Sequence, residues 1–455
     1  MTHSQLPDQL PGDFPADLQA ALSRHDLRDA QHWLGEHPPH LIADELARMD
    51  TVDAVVAFRL LDKDQATDVF EELEPVDQRG ILMGLRDSAF HELVEELDPD
   101  DRVRMLREAP AKVVQRVLAG LSPHERNVTA ALLGYPEGSV GRYMTPQTVP
   151  LNQQLTVEQA LERVRARGGD AETVYTLPVV DSGRRLTGIV ELRELVLSEP
   201  GNTVADLVVT EAPRAHATDP AEDAARLMRE TNVLDLPVVD SEDRLVGLLT
   251  IDDAVEVIEA ADTEDVARQS GSAPWAGHYM AATVWQLARY RVVWLLLLLL
   301  AASLTVTVTQ VFEGTLEQVT QLAMFIPLLI GTGGNTGAQA ATAAVRALAV
   351  GEVRGSDLPA VVWRECRVGF VLGTLLALLG LVLGSLFVGP KIALVVGVAL
   401  VIICAWAATV GGTMPLLAKR LRIDPAVVSA PMVTTLVDAT GLIIYFLTAR
   451  AVLGI

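Results

Sequence analysis

The chain has 455 residues, of which 59 are acidic and 36 are basic, so its formal net charge is −23. Residues 1–280 carry 52 acidic and 25 basic side chains, whereas residues 281–455 carry 7 and 11. An acidic half therefore precedes an apolar half, and the repulsion between this charge and phosphate disfavours nucleic acid as a partner. The two cysteines exclude a disulfide framework and a cysteine-based metal site.

Residues 1–135 are predicted to form a helical domain with an internal repeat. Similar segments begin at Leu73, Leu97 and Leu121, at intervals of 24 residues, and each places a proline after an acidic residue or a serine. Proline is favoured in the first turn of a helix, where its missing N–H costs nothing, so each segment predicts a helix start. Helices repeated at a fixed period indicate a short α-solenoid.

A second repeat follows. The sequence Leu-Pro-Val-Val-Asp-Ser around Pro178 recurs around Pro237, 59 residues later, and each copy predicts a strand, a turn, a strand and a helix. This arrangement resembles a tandem pair of CBS domains, at residues 142–200 and 201–262. Such pairs often bind adenosine nucleotides, and the resemblance implies one site, with Thr250 and Asp253 holding the ribose hydroxyls. A purely structural role for the pair stays open.

The acidic half ends in carboxylates that precede a predicted linker helix at residues 263–288. Asp253, Glu256 and Glu264 recur near helical spacing. Such carboxylates suit hard divalent cations, which take oxygen ligands. The alternative is an ordinary solvated helix face.

Residues 289–455 are predicted to span a membrane five times. Residues 292–311, 368–388, 392–417 and 426–449 are apolar over the length needed to cross a bilayer, and residues 322–345 form a weaker run. Nine Lys and Arg residues lie in the loops on one side and two lie on the other. The positive-inside rule therefore predicts a cytoplasmic N-terminus and an outer C-terminus.

Two features of this half are unusual for a simple anchor. Asp438 lies inside the fifth run, where an ionisable side chain is costly unless it meets water, a partner or an ion. No Lys or Arg lies within the runs, so a cation is the favoured partner. The second feature is a proline- and glycine-rich segment that predicts an irregular backbone beside water, with close helix packing as the alternative. Its residues are Pro327, Gly331, Gly334, Asn335 and Gly337.

The order of these parts resembles the MgtE family of Mg²⁺ channels over nearly the whole chain. The most specific parts are the segment from Pro327 to Gly337 and the sequence from Thr434 to Gly441. The resemblance implies a homodimer whose pore lies on the two-fold axis, with Asp438 binding hydrated Mg²⁺. It also implies that cytoplasmic Mg²⁺, bound among the cytosolic domains, holds the pore shut. The acids implied in that sensor are Asp68, Asp100, Glu222, Asp253, Glu256, Glu264 and Asp265, with Asp424 at the inner mouth.

The chain departs from the family's pattern at Arg104, Asn232 and Ala261, which replace acids of the sensor and imply weaker cation sites. The predicted fold combines a helical solenoid, an α/β CBS pair, a linker helix and a five-helix membrane domain. The predicted function is a homodimeric Mg²⁺ channel of the bacterial inner membrane, with ATP as a candidate ligand of the CBS pair. The alternatives are a secondary Mg²⁺ transporter coupled to Na⁺ or H⁺ and a nucleotide-sensing regulator that does not conduct. The sequence has no nucleophile–base constellation, so an enzyme is not expected.

Overall fold

The computed structural model describes residues 16–106, 109–274, 279, 282–428 and 430–455. It divides into two compact units. The first contains the helical domain and both CBS repeats and runs to Ala261, and the second begins at Asp262 and contains the long apolar helices. Residues 1–15 of the predicted helical domain lie outside the described residues.

Ten short helices form the described part of the N-terminal helical domain. Pro75, Pro99 and Pro123 each begin a helix, which confirms the three starts predicted from the repeat. Each helix contacts the one two positions further along the chain in two rows, α3–α5–α7–α9 and α4–α6–α8–α10, which is the stacking of a solenoid. The helices are α1 (Ala16–Ser23), α2 (Leu27–Glu36), α3 (Pro39–Arg48), α4 (Thr51–Phe58), α5 (Lys63–Glu71), α6 (Pro75–Gly84), α7 (Asp87–Glu96), α8 (Pro99–Leu106), α9 (Ala111–Gly120) and α10 (Pro123–Leu133).

The two CBS repeats contain the predicted strand–turn–strand–helix units. In the first, α11 (Val157–Arg167) precedes the antiparallel strands β1 (Thr176–Val180) and β2 (Leu186–Glu191), and α12 (Leu192–Leu197) follows. The second repeat has the same plan, and its β4 pairs with β5 antiparallel and with β3 in parallel. Its elements are α13 (Val204–Leu207), β3 (Ala215–His216), α14 (Ala221–Thr231), β4 (Asp235–Val239), β5 (Leu245–Thr250) and α15 (Ile251–Gln269).

The helical domain and the second repeat share an apolar core. Val103 on α8 and Leu132 on α10 are 1% and 3% exposed, and they pack with buried side chains of the repeat such as Leu249. The Arg142 guanidinium fixes the connection by donating to the carbonyl of Tyr135 at 2.7 Å. Burial of apolar surface therefore holds this part of the helical domain against the repeat.

The predicted linker helix is not a separate element in the described residues. Residues 263–269 belong to α15, which continues from the second repeat, and residues 284–288 belong to the first long apolar helix. Residues 275–278, 280 and 281 of the predicted linker lie outside the described residues.

Five long helices form the apolar part of the second unit. Four of them, α16, α19, α20 and α21, are long and apolar enough to cross a membrane by length and composition among the described residues. The fifth, α18, has 24 residues but falls below the hydropathy of the others, as the weaker run predicted. The helix α20 packs against α18, α19 and α21 and contains more buried residues than any other helix of this unit. The elements are α16 (Val284–Val311), α17 (Glu313–Gln318), α18 (Ile326–Ala349), α19 (Leu358–Phe387), α20 (Pro390–Arg420) and α21 (Ala430–Leu453).

The irregular backbone predicted for the proline- and glycine-rich segment is wrong, because α18 is a continuous helix. Pro327 lies in its first turn, where no hydrogen bond is lost. The glycines allow close packing instead: a Cβ atom at Gly333 would lie 2.7 Å from Cγ2 of Ile403 on α20. A Cβ atom at Gly337 would lie 3.1 Å from Cγ1 of Val433 on α21. The packing alternative therefore holds for Gly334 and Gly337, whereas Gly331 and Asn335 lie on the exposed side of the helix that begins with Pro327 in its first turn.

Candidate metal-binding sites

Asp438 lies in the middle of α21, on the side next to α18. Gly334 of α18 leaves room for it, since a Cβ atom there would lie 3.4 Å from the Asp438 Oδ1 atom. The carboxylate is partly exposed, and no hydrogen bond or ion pair engages it within the described residues. An ionisable group in an apolar helix needs water, a partner or an ion. Asp438 is therefore available to a cation.

The neighbouring helix α18 presents a polar exposed face. Gly331, Asn335 and Gln339 are exposed and follow one another at four-residue spacing, so they lie on one side of the helix. Opposite them, Gly333 and Gly337 are buried against the other helices. Amide side chains are unfavourable in contact with lipid tails. This face is therefore suited to water or to a second protein surface.

A second candidate site joins three parts of the first unit. Carboxylate oxygens of Asp100 on α8, Glu172 before β1 and Asp253 on α15 all lie within 4.8 Å of one another. The Asp100 side chain is buried, at 5% exposure, and its Oδ1 atom has no hydrogen-bond partner in the part of the chain that the structure describes. Oε2 of Glu172 is likewise buried and unpartnered. Buried polar atoms without partners are rare, and three convergent carboxylates suit a divalent cation.

The electrostatics of these three carboxylates support this assignment. Burial, together with the charge of Asp253, raises the pKa of Asp100 well above its ordinary value and that of Glu172 to about 8. Burial also raises the pKa of Asp253 to about 7. No basic side chain is among the main influences on the three pKa values. A bound cation would remove the repulsion that these shifts express.

Without divalent ions, lowering the pH from about 8.5 to about 6 should stabilise the first unit. Raised pKa values mean that the folded state binds protons more tightly than the unfolded state, so this stability is complete below about pH 4 and is lost as the pH rises through 7 to 8. Stabilisation by Mg²⁺ should show the opposite trend, because a cation needs ionised ligands. Thermal unfolding of the full-length protein, in EDTA and in Mg²⁺, measures both trends.

The matched variant for this measurement is Asp100→Asn. It should flatten the pH dependence of the unfolding temperature both in EDTA and in Mg²⁺. An unfolding temperature in EDTA that does not change between these pH values would contradict the assignment.

A further acidic cluster has a basic side chain beside it. Carboxylate oxygens of Glu71, Asp98 and Asp101 lie within 4.8 Å of one another. Burial, followed by the charge of Asp101, raises the pKa of Glu71 to about 8. Arg104 lies beside this cluster and pairs with Glu256 on α15. The predicted sensor residue Glu256 is thus held by an arginine.

Three family models match the chain in order. The model described as the MgtE intracellular N domain matches residues 37–138, the CBS domain model matches residues 140–199 and 204–260, and the MgtE model, described as a divalent cation transporter, matches residues 326–448. The magnesium transporter MgtE of Thermus thermophilus is 38% identical over 444 residues, which are 96% of this chain and 98% of that protein. The chain belongs to the MgtE family. The prediction from the sequence is confirmed on this point.

Other MgtE proteins agree with this assignment. The magnesium transporter MgtE of Bacillus subtilis is 29% identical over 426 residues, or 93% of this chain and 94% of that protein. A crystal structure of the cytosolic domain of the Mg²⁺ channel MgtE in complex with ATP matches with a TM-score of 0.50 and 34% identity. It covers 53% of this chain and 99% of that one. The predicted fold class, with its helical domain, CBS pair and apolar helices, is confirmed.

The other predicted sensor residues of this MgtE chain are dispersed. Asp68 is exposed on α5, and Glu222 accepts a hydrogen bond from Nε of Arg226 in its own helix at 3.0 Å. Asp265 is partly exposed on α15. Of the eight predicted regulatory acids, Asp100 and Asp253 are brought together in the first unit.

Arg268 joins two more of these acids within the second unit. Its guanidinium pairs with Glu264 one turn away on the same helix and with Asp424. Among the departures from the family's pattern, Asn232 ends α14 in a left-handed conformation with φ 55°, which asparagine tolerates, and Ala261 lies on α15.

The predicted nucleotide residues are adjacent, but they also adjoin the carboxylate site. The Thr250 hydroxyl donates to Oδ2 of Asp253 at 3.0 Å, and Thr250 is buried at 3% exposure. Sequence analysis missed Glu172, which completes the site with Asp253. Glu172 lies two residues after Asp170 in the segment before β1, and this spacing alone does not mark a metal ligand.

Proposed function

We propose that this chain forms a homodimeric, Mg²⁺-selective channel of the bacterial inner membrane that cytoplasmic Mg²⁺ closes. The observation that carries the proposal is Asp438, a carboxylate in an apolar helix beside the polar face of α18 that no other described residue engages by a hydrogen bond or an ion pair. The identity of the ion as Mg²⁺ is supported by the relatives that are named as magnesium transporters. A carboxylate that contacts a largely hydrated cation is the usual way in which proteins hold Mg²⁺.

The exposed polar face of α18 supports a dimer. In a single chain, Asn335 and Gln339 would face lipid, which is unfavourable for amide groups. A second copy facing the first would cover these residues and enclose a path lined by polar side chains. The two copies of Asp438 would then face this path and bind the ion through its water shell. The nine Lys and Arg residues on one side of the helices support a cytoplasmic position for the acidic half.

The carboxylate site supports closure by Mg²⁺. Asp100, Glu172 and Asp253 come from the helical domain, the first CBS repeat and the second CBS repeat. Without a cation their charges repel and favour separation of these three parts, whereas a bound cation favours the compact arrangement. If the site is complete in one arrangement alone, cation binding shifts the population toward that arrangement. Such a shift is what coupling to a gate requires.

ATP is the proposed nucleotide of the CBS pair, as in the solved cytosolic domain. Replacing Thr250 and Asp253 together by Ala should lower ATP affinity by about tenfold or more, because both candidate ribose contacts are lost. Calorimetry with the full-length protein measures this affinity, with Thr187→Ala in the first repeat as the control. Since Asp253 also belongs to the carboxylate site, Mg²⁺ should change the ATP affinity of the wild type and should not change that of the double variant. Unchanged ATP affinity in the double variant would exclude this site.

Mg²⁺ flux into liposomes, with and without Mg²⁺ on the cytoplasmic side, tests the proposed function. A channel gives uptake that follows the membrane potential alone and falls when Mg²⁺ is present on the cytoplasmic side. Uptake that requires a Na⁺ or H⁺ gradient would instead support a coupled transporter. Absence of flux from well-folded protein would support a non-conducting regulator.

A further inference from the structure

Arg104 occupies a position between the helical domain and the second CBS repeat. It lies in the last turn of α8, and its side chain is 16% exposed. One end of the guanidinium pairs with Glu256 on α15 of the second repeat. The Nη2 atom donates to the carbonyl of Glu71 at 2.6 Å and lies 3.4 Å from a carboxylate oxygen of Asp101. One cation therefore contacts α5, α8 and α15 together.

The surroundings of Arg104 are otherwise strongly acidic. Burial is the main influence that raises the pKa of Asp101, to about 6, and Arg104 is the neighbour that most opposes the rise. Arg104 also opposes the rise at Glu74, while Glu256 and Glu259 on α15 add to it. Carboxylates from both sides of this contact would repel one another if the guanidinium were absent. The guanidinium thus does here what a bridging divalent ion does between carboxylates.

We propose that Arg104 is a resident cation that holds the helical domain to the second CBS repeat in the absence of divalent metal. The adjacent residue Val103 supports the same contact through the shared apolar core. Arginine is suited to this role because it remains charged at any physiological pH and its planar group makes several directed hydrogen bonds. The role of Arg104 in this contact does not depend on the proposed cation sensor. Only the effect of Arg104 on the gate rests on that proposed function.

The presence of Arg104 changes how much a metal ion can strengthen the contact between the helical domain and the second CBS repeat. If metal ions alone bridged this contact, removal of divalent ions would release the helical domain from the repeat. With Arg104 in place, the Asp100–Glu172–Asp253 site strengthens a contact that already exists. The cytosolic unit should therefore stay largely compact in EDTA, and Mg²⁺ should shift its arrangement over a smaller range.

Hydrogen exchange of the full-length protein in detergent tests the inference. The readout is the exchange rate of amides in α8 and in the first two turns of α15, in EDTA and in Mg²⁺. Wild type should be protected in both. Arg104→Glu should exchange about tenfold faster or more in EDTA, because the reversed charge leaves Glu256 facing another carboxylate. Mg²⁺ should restore the protection of this variant, since a cation can bridge the two acids.

The reciprocal variant Arg104→Glu/Glu256→Arg should recover protection in EDTA, which a merely structural role of Arg104 would not produce. Glu256→Gln breaks the same pair at a position that is 51% exposed, so it tests the inference without the risk of misfolding at the more buried Arg104. The control is Arg48→Glu, whose ion pairs with Asp44 and Glu45 lie within its own helix.

The inference would be overturned if Arg104→Glu and Glu256→Gln were both as protected from exchange in EDTA as the wild type. It would also be overturned if the reciprocal variant exchanged no more slowly than Arg104→Glu. Flux measurements on the same preparations separate the two proposals. Absence of Mg²⁺ flux in the wild type would refute the channel and would not affect the exchange result. Unchanged exchange would refute the role of Arg104 and would leave the channel standing.

Discussion

Asp438→Ala should abolish Mg²⁺ conduction while the protein still folds. The variant removes a carboxylate of the apolar helix α21 that has no partner among the described residues, so none of these residues is left without a hydrogen bond. We expect the Mg²⁺ current to fall by about 100-fold or more, which corresponds to about 2.7 kcal/mol of lost interaction with the ion. Asp438→Asn keeps the size of the side chain and removes its charge, so it should lose the preference for divalent over monovalent cations. Currents through reconstituted protein in a planar bilayer measure both effects.

Glu365→Gln is the matched control, because Glu365 is another partly exposed carboxylate of the apolar helices, on α19 against Gly412. It should conduct as the wild type does, since it packs against Gly412 of α20, whereas Asp438 lies beside Gly334 of α18. Wild-type Mg²⁺ currents from a well-folded Asp438→Ala protein would refute the pore assignment. The oligomeric state of each variant should be checked in the same detergent.

Loss of the carboxylate site should leave the channel open at Mg²⁺ concentrations that close the wild type. Asp100→Asn/Asp253→Asn removes two charges of the site with little change in volume. We expect the half-inhibitory Mg²⁺ concentration on the cytoplasmic side to rise by about tenfold or more, the equivalent of about 1.4 kcal/mol of binding energy. Inhibition of the current by Mg²⁺ added to that side measures it.

The control for this pair is Asp252→Asn/Glu259→Gln, which removes two exposed charges of α15 and should shift the inhibition little. Deletion of residues 1–135 should also leave the channel open, since it removes Asp100. The deletion, however, takes Val103 and Leu132 out of the core of the second repeat, so the isosteric pair is the cleaner variant. Equal inhibition of the wild type and the Asn pair would contradict the assignment of the sensor.

Local signals in the sequence predicted the fold well. The repeated prolines mark helix starts because their effect is confined to one turn, and the two copies around Pro178 and Pro237 gave the strands directly. The segment after Pro327 misled the prediction because a proline in the first turn and a proline inside a helix look alike until the helix boundary is known. Its glycines were compatible with a broken backbone and with close packing, and the neighbouring helices decided between the two.

The candidate sites could be predicted only in part. Asp438 is conspicuous because a charge in an apolar run is unusual by itself. Glu172 was missed because it comes from a loop far along the chain from Asp100 and Asp253, and no local pattern indicates their convergence. Arg104 was predicted to weaken a cation site, because the sequence shows only that its charge is positive. Its partner Glu256 lies 152 residues away, and the structure is needed to show that the two meet.

The core that Val103 and Leu132 share with the second CBS repeat also has a consequence for biosynthesis. The other members of this core extend to Val257, so the ribosome makes them well after the helical domain has emerged. During that interval the nascent chain exposes Val103 and Leu132 to water, where they are open to chaperones or to aggregation. The helical domain can therefore bury Val103 and Leu132 only after the second repeat has been made.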